Sequence, residues 1–123
     1  MTVKLLTPLL LIGLVAASAA RADGDVEAGK VQFKKCALCH TDVAGKNRIG
    51  PSLFGVVGRK SASVADFNYS DAMKKFDHTW DAATLETYLS DPRNTVQGTK
   101  MIFPGLKEKK ERDDVIAYLA TLK

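Results

Sequence analysis

Two cysteines and a histidine lie within five consecutive residues, Cys36-Ala37-Leu38-Cys39-His40. Two thiols three residues apart, followed directly by an imidazole, form the pattern required for covalent attachment of a haem. Thioether bonds from Cys36 and Cys39 would fix the porphyrin over one helical turn, and His40 would present a ring nitrogen to the iron from the same turn. The motif therefore predicts one covalently bound haem c, and the fold has to wrap around it.

Two other kinds of site use the same cysteine spacing. Because the chain has only these two cysteines, a structural zinc site would need His40, His78 or carboxylates as further ligands, whereas such sites normally use several thiolates. A structural or redox disulfide also fits, but thioredoxin-like motifs lie early in a strand-helix-strand unit, and no such pattern surrounds these cysteines. The residues favour haem attachment and leave both alternatives open.

The N-terminal segment has the three-part layout of a secretory signal. Lys4 provides a short positive region, residues 5–15 form an almost unbroken apolar run, and residues 16–22 are rich in small side chains. The apolar run is well short of the roughly 20 residues that span a bilayer. We therefore expect a cleaved signal, with an uncleaved membrane anchor as the alternative.

Cleavage after Ala22 fits the small-x-small rule, with Ala19 as the competing position. The prediction is a signal peptide over residues 1–22 and a mature domain over residues 23–123, exported to the periplasm. Cleavage removes two basic residues and no acidic one, so the formal net charge falls from +4 to +2. This charge is too weak to indicate nucleic acid binding, and no stable membrane insertion is expected of the mature chain.

Helical patterns bound the mature chain at both ends, and no alternating strand pattern competes with them, so we predict an all-α fold with much loop. Asp23 or Asp25 caps a first helix that runs into the cysteine motif, and its apolar side is formed by Val26, Gly29 and Phe33. The last helix, predicted as the longest, runs from about residue 107 to residue 122. Its buried side holds Val115, Ile116, Leu119 and Leu122, and its exposed side holds Glu108, Lys109, Glu111, Arg112 and Asp113.

The middle of the chain is dominated by turns. Glycines and a proline between residues 41 and 63 exclude long regular structure there. Ser70 caps a predicted short helix. A second short helix begins at Thr79 or Asp81, and Asp91-Pro92 stops it.

A haem iron bound by one histidine leaves a sixth position, whose occupant separates electron carriers from proteins of oxygen or peroxide chemistry. The candidates are His78, Met73, Met101 and the lysines, because Met1 departs with the signal. Met101 lies in residues 98–105, where glycines and a proline let an extended backbone bring a thioether close to the haem plane. Met101 is therefore the best candidate, with a methionine that fills the core as the alternative.

Several motifs follow one another along the mature chain. In order, they are Cys36-x-x-Cys39-His40, Gly50-Pro51-x-Leu53-x-Gly55, Gly58-Arg59-Lys60, Phe67-x-Tyr69-Ser70, Trp80, Tyr88-Leu89-x-x-Pro92, Gly98-Thr99-Lys100-Met101-x-Phe103 and Tyr118-Leu119. The ordered set resembles the class I cytochromes c, the small soluble carriers of respiratory and photosynthetic chains. The resemblance implies a cytochrome c fold, in which the N- and C-terminal helices pack together and short helices and loops wrap around one covalently bound haem. It also implies that Gly29 and Phe33 pack against Val115 and Tyr118.

The resemblance implies a ligand set for the iron. His40 would be the proximal ligand and Met101 the distal one. The carbonyl of Pro51 would orient the His40 imidazole, and Tyr88 would place its phenol near the ligand sulfur.

Other matching positions would form the environment of the haem. Arg59, Tyr69 and Trp80 match positions that hydrogen-bond or neutralise the haem propionates. Met73 departs from the family pattern, because many members carry a polar asparagine there, near a propionate and a buried water. The family's hydrogen-bond arrangement in that region is therefore not carried over to this chain.

Two axial ligands from the protein leave iron no easy place to bind substrate. The expected function is therefore reversible one-electron transfer between membrane or periplasmic redox complexes, without enzymatic activity. A haem-based gas or peroxide-binding protein, or a haem subunit of a larger oxidoreductase, is the alternative.

Four lysines lie next to the attachment motif or the predicted ligand loop: Lys35, Lys46, Lys100 and Lys107. If they ring the exposed haem edge, they would steer the protein to transient partners with acidic docking surfaces, in a salt-sensitive way. A monomer is expected. The alternative is an ordinary solvated lysine surface.

Overall fold

The computed structural model describes residues 24–123, which form five helices joined by loops. The helices are α1 (Val26–Cys36), α2 (Asp71–Lys75), α3 (Ala82–Ser90), α4 (Pro92–Thr95) and α5 (Lys109–Leu119). One isolated antiparallel bridge joins Lys60 to Thr79. None of the helices in this part of the chain is long and apolar enough to cross a bilayer. The predicted signal peptide over residues 1–22 lies outside the described residues.

The start of α1 is fixed both by its own cap and by α5. The Asp25 carboxylate accepts a hydrogen bond from the Ala28 backbone N–H at 2.9 Å, which satisfies one of the free donors of the first turn. The Asp25 backbone N–H donates to Asp114 Oδ1 at 2.9 Å. Because Asp114 also accepts from Lys110, the beginning of α1 is tied to a charged pair on α5.

α1 and α5 cross with almost no space between their backbones. A Cβ atom added at Gly29 would lie 1.9 Å from the Asp114 carbonyl oxygen and 2.8 Å from the Tyr118 Cβ. One turn further along α1, the rings of Phe33 and Tyr118 pack against each other at 5.3 Å between centroids, tilted by 59°. Val115 lies at the centre of the core with none of its surface exposed. The predicted packing of the two terminal helices is therefore observed.

α3 lies against α5 and completes the core. Its buried residues are Leu85, Tyr88 and Leu89. The same cluster includes Trp80 from the loop before α3 and Leu106 from the loop before α5. These contacts anchor the short segment before α3 and the loop before α5 to the core.

The helix prediction missed α4. The Asp91-Pro92 pair ends α3, as predicted, but it also begins a new helix. The Asp91 carboxylate accepts from the Asn94 backbone N–H at 3.3 Å, and Pro92 occupies the first turn, where a missing N–H has no partner to lose. The same dipeptide is thus a stop signal for one helix and a start signal for the next.

Three details of the terminal helices were predicted wrongly. α5 is shorter than predicted, and at 11 residues it equals α1 instead of exceeding it. Val26, expected on the apolar side of α1, is 39% exposed. Arg112, expected on the outer face of α5, has a side chain that is only 12% exposed, because its guanidinium donates to backbone and carboxylate oxygens of other segments.

Gly29→Ala tests the helix crossing. Alanine normally stabilises a helix relative to glycine by about 0.5–1 kcal/mol, but here the new methyl group would force the backbones apart. We expect a net loss of about 1–3 kcal/mol in the free energy of unfolding, measured by urea denaturation of the holoprotein. Lys30→Ala, at the neighbouring exposed position of α1, should leave stability nearly unchanged. A Gly29→Ala protein as stable as wild type would contradict the close approach.

Candidate functional site

α1 ends at the cysteine motif and delivers it to one side of the core. The backbone N–H groups of Cys39 and His40 both donate to the Cys36 carbonyl oxygen, at 3.0 and 2.8 Å, so the chain makes one tight turn between the two cysteines. Both thiols are free and half-buried. Burial raises the pKa of Cys36 to about 11, so this thiol is neutral in the chain as described.

The His40 imidazole is held in one orientation. Its Nδ1 lies 2.7 Å from the Pro51 carbonyl oxygen, and since a carbonyl only accepts, Nδ1 carries the hydrogen. The ring lies directly on the backbone of Gly50, where an added Cβ would come within 2.4 Å of the His40 Cε1. Burial lowers the pKa of His40, an effect that the bond to Pro51 partly offsets. The neutral ring therefore keeps the Nε2 lone pair available to a metal.

Met101 lies in the loop between α4 and α5 and is held by α3. The Tyr88 hydroxyl donates to the Met101 Sδ at 3.4 Å. Burial raises the pKa of Tyr88, and a hydrogen bond with Thr99 partly opposes the shift, so the phenol keeps the proton that it donates. The Met101 backbone N–H donates to the Thr99 hydroxyl at 3.3 Å, and Gly98, with φ +93°, supplies the turn that starts this segment.

Arg59 and Tyr69 lie near each other beside the backbone of Trp80. The Arg59 guanidinium donates to the carbonyl oxygens of Phe54 and Ser52, both at 3.1 Å. Burial lowers the pKa of Arg59, and the nearby Tyr69 opposes this shift. The Trp80 backbone N–H donates to the Arg59 carbonyl oxygen at 2.9 Å. Arg59 is thus near Tyr69 and is joined to Trp80 through the backbone, and the role of the three residues at the propionates stays a prediction.

The Tyr69 hydroxyl has a backbone partner in the same region. It accepts a hydrogen bond from the Val64 N–H at 3.1 Å, and its ring meets Phe67 edge-on at 4.9 Å. The phenolic proton is therefore still available to another acceptor.

An aromatic cluster lines the side of the core next to Tyr88. The Trp80 ring lies 4.9 Å from the Tyr88 ring and 5.4 Å from the Phe76 ring, between centroids. Phe76 was not predicted as part of the site, since it follows a short helix with no pattern that marks it. Met73 is half-buried and packs against the same core. His78 is exposed and stacks on the outer side of Phe76 at 4.2 Å.

Sequence reasoning also missed a hydrogen bond that ties α5 to the segment after His40. The Tyr118 hydroxyl donates to Asp42 Oδ2 at 2.6 Å, across 76 positions of the chain. Burial, followed by the bond to the Asp42 carboxylate, raises the pKa of Tyr118 to about 12. No local sequence pattern predicts this contact, because it depends on where two distant segments of the chain meet.

The four predicted docking lysines are all exposed, but they differ in their contacts. Lys35 lies 3.7 Å from Glu111. The Lys107 Nζ donates to the carbonyl oxygens of Ser90 and Pro104. Lys46 and Lys100 have no ion-pair partner among the described residues, so their charges are the least compensated of the four.

The donor set fits one haem c. Two thiols one turn apart, a neutral oriented imidazole and a fixed thioether are the groups that covalent attachment and two-sided ligation of the iron require. Zinc fits less well, since no group of three or more histidine, cysteine or carboxylate side chains in residues 24–123 is arranged to hold a metal ion.

Comparison with known proteins agrees with this geometry. The sequence profile of the family described as Cytochrome c matches residues 26–123. Cytochrome c2 from Rhodoplanes tepidamans is 56% identical over 97 residues, which are 78% of this chain and 91% of that protein. Cytochrome c2 from Rhodomicrobium vannielii is 50% identical over 109 residues, 88% of this chain and 87% of that protein.

A solved structure agrees as well. Cytochrome cH from Methylobacterium extorquens superposes with a TM-score of 0.75 at 49% identity, covering 80% of this chain and 99% of that one. The predicted all-α cytochrome c fold is therefore confirmed. The chain belongs to the cytochrome c family, and its cofactor is one covalently bound haem c.

Proposed function

We propose that this electron-carrying cytochrome attaches its haem at Cys36 and Cys39 and ligates the iron with His40 and Met101. The observation that carries the proposal is that both ligand atoms are fixed by the protein itself. The Pro51 carbonyl orients the His40 imidazole at 2.7 Å, and the Tyr88 hydroxyl fixes the Met101 sulfur at 3.4 Å. These contacts hold each side chain in one orientation without help from a metal.

The protein contributes to electron transfer through its rigidity and its ligand chemistry. The haem supplies an iron that cycles between the ferrous and ferric states. Thioether sulfur is a soft ligand that favours the ferrous state, and the buried aromatic side chains around Met101 disfavour the extra charge of the ferric state. Both effects raise the reduction potential. Because Pro51 and Tyr88 hold the ligands in place, little rearrangement is needed between the two states.

The same ligand set argues against catalysis. If His40 and Met101 both bind the iron, they would leave it no open position for a substrate. We therefore propose that the protein is a carrier and not an enzyme. We also propose that it is exported to the periplasm after removal of residues 1–22, a proposal supported by the three-part layout of that segment.

Met101→Ala tests the ligation. Ferric haem c with a sulfur ligand has a weak absorption near the red end of the visible spectrum, and we expect this band in the wild-type protein and not in Met101→Ala. The ferrous variant should bind carbon monoxide readily, whereas the wild type should not. Met73→Ala is the matched control, since it also removes a half-buried methionine that packs against the core, and it should keep the band.

The opposite results would contradict the proposal. A wild-type protein without the red band, or one that binds carbon monoxide readily when reduced, would favour a gas or peroxide-binding function. Loss of the band in Met73→Ala alone would move the ligand to Met73.

We propose that Lys35, Lys46, Lys100 and Lys107 steer the protein to acidic surfaces of its redox partners. Lys46 and Lys100 support this most directly, because neither charge is compensated by a neighbouring carboxylate in the described part of the chain. Exposed charges of this kind act mainly on the association rate, and salt screens them over about 10 Å at 0.1 M.

The double variant Lys46→Gln, Lys100→Gln tests this steering with small oxidants. Oxidation of the ferrous protein by ferricyanide, an anion, should slow several-fold at low salt, and oxidation by a cationic cobalt complex should speed up. Both differences should shrink as salt is added. Lys75→Gln, an exposed lysine at the end of α2, is the control and should have a smaller effect. Rates that depend on neither the variant nor the salt would contradict the proposal.

A further inference from the structure

We propose that Arg112, on α5, is a positioning residue for Met101. Its guanidinium fixes the segment that ends the methionine loop, and this contact keeps the thioether on the iron when another ligand competes for the same position. The inference rests on the proposed ligation of the iron by Met101.

The contacts of Arg112 reach three oxygen atoms outside α5. Its Nη1 donates to the carbonyl oxygens of Leu106 and Lys107, at 2.7 and 2.8 Å. Its Nε donates to the Glu86 Oε1 at 2.7 Å. The side chain is only 12% exposed, so water competes little for these bonds, and hydrogen bonds from a charged donor are stronger than neutral ones.

The same segment is fixed from the opposite side by the end of α3. The Leu106 backbone N–H donates to the Leu89 carbonyl oxygen at 2.8 Å. Gly105 has φ +97° and lies so close to α3 that an added Cβ would come within 2.6 Å of the Ser90 carbonyl oxygen. Residues 105–107 are thus held between α3 and α5, and Met101 lies only a few residues before them in the same loop.

Glu86 makes the contact a charged pair between α3 and α5. Its Oε1 accepts from Arg112, whereas its Oε2 is buried and has no hydrogen-bond partner among the described residues. Loss of the guanidinium would leave this partly buried carboxylate without its hydrogen-bonded cation, which is costly, although the Lys109 ammonium is also near it. Glu86 lies two residues before Tyr88, so one helix carries both the contact to the Met101 sulfur and the anchor of the arginine.

This arrangement has a local consequence for the iron. The bonds from Arg112 to residues 106 and 107 hold the C-terminal end of the Met101 loop, so they oppose movement of the loop away from the iron. Local opening of this kind needs less free energy than global unfolding. Removal of a charged hydrogen-bond donor should raise the population of the open loop about tenfold.

Imidazole added to the ferric holoprotein measures that population directly, because it binds the iron only where Met101 has left. We expect Arg112→Gln to bind imidazole about tenfold more tightly than wild type. Loss of the red absorption band during the titration reports the binding. Glu86→Gln keeps a side-chain oxygen that can accept from Arg112 and removes only the negative charge. The imidazole affinity of this variant should therefore rise about threefold. If Arg112→Gln does not fold with its haem attached, Glu86→Gln alone still tests the proposal.

Tyr118→Phe is the matched control on the same helix. It loses a buried hydrogen bond, that from Tyr118 to Asp42 at 2.6 Å, but this bond reaches the segment after His40 and not the methionine loop. It should lower the urea midpoint of unfolding and leave the imidazole affinity unchanged.

The outcomes separate this inference from the proposed ligation. Unchanged imidazole affinity in both Arg112→Gln and Glu86→Gln, even with reduced stability, would overturn the positioning role and leave a merely structural one. An equal rise in affinity in Tyr118→Phe would overturn it too, because the effect would then follow global stability. A wild-type protein without the red band would overturn the Met101 ligation itself and this inference with it.

Discussion

The close crossing of α1 and α5 at Gly29 is the contact on which the rest of the molecule depends. It fixes the direction of α1, and α1 ends in the cysteine turn, so the crossing sets where Cys36 and Cys39 are presented. The C-terminal half of α5 then reaches the segment after His40 through Tyr118. A single helix pair therefore sets the position of the proposed attachment site, although neither proposed iron ligand lies on these two helices.

The two proposed axial ligands are held by different physical means. His40 follows directly after the attachment site, lies on the glycine backbone at residue 50 and donates to the Pro51 carbonyl. Met101 lies in a long loop with little regular structure, so it depends on side chains from elsewhere, namely Tyr88 at the sulfur and Arg112 at the end of the loop. The proximal side is thus built locally, whereas the distal side is assembled from α3 and α5. Perturbation of the fold should reach the distal ligand first.

Sequence patterns predicted the features that depend on local spacing. The cysteine motif, the capping residues Asp25 and Ser70 and the buried side of α1 at Gly29 and Phe33 follow from residues close together in the chain, whereas the packing of this side against α5 came from the family resemblance. The role of Met101 came from a resemblance to a family, since composition alone left a core methionine as the alternative. Helical periodicity predicted wrongly that Arg112 is exposed. Its burial depends on a loop and a carboxylate that are distant in the sequence, and periodicity contains no information about them.

We propose that one nitrogen from His40 and one sulfur from Met101 bind a single haem iron. X-ray absorption at the iron edge of the purified holoprotein tests it most directly, since sulfur and nitrogen scatter differently and the measurement needs no partner protein. We expect one sulfur and five nitrogen neighbours in both the ferric and the ferrous states. A first shell of nitrogen and oxygen atoms alone, or a sulfur neighbour present in only one oxidation state, would contradict it.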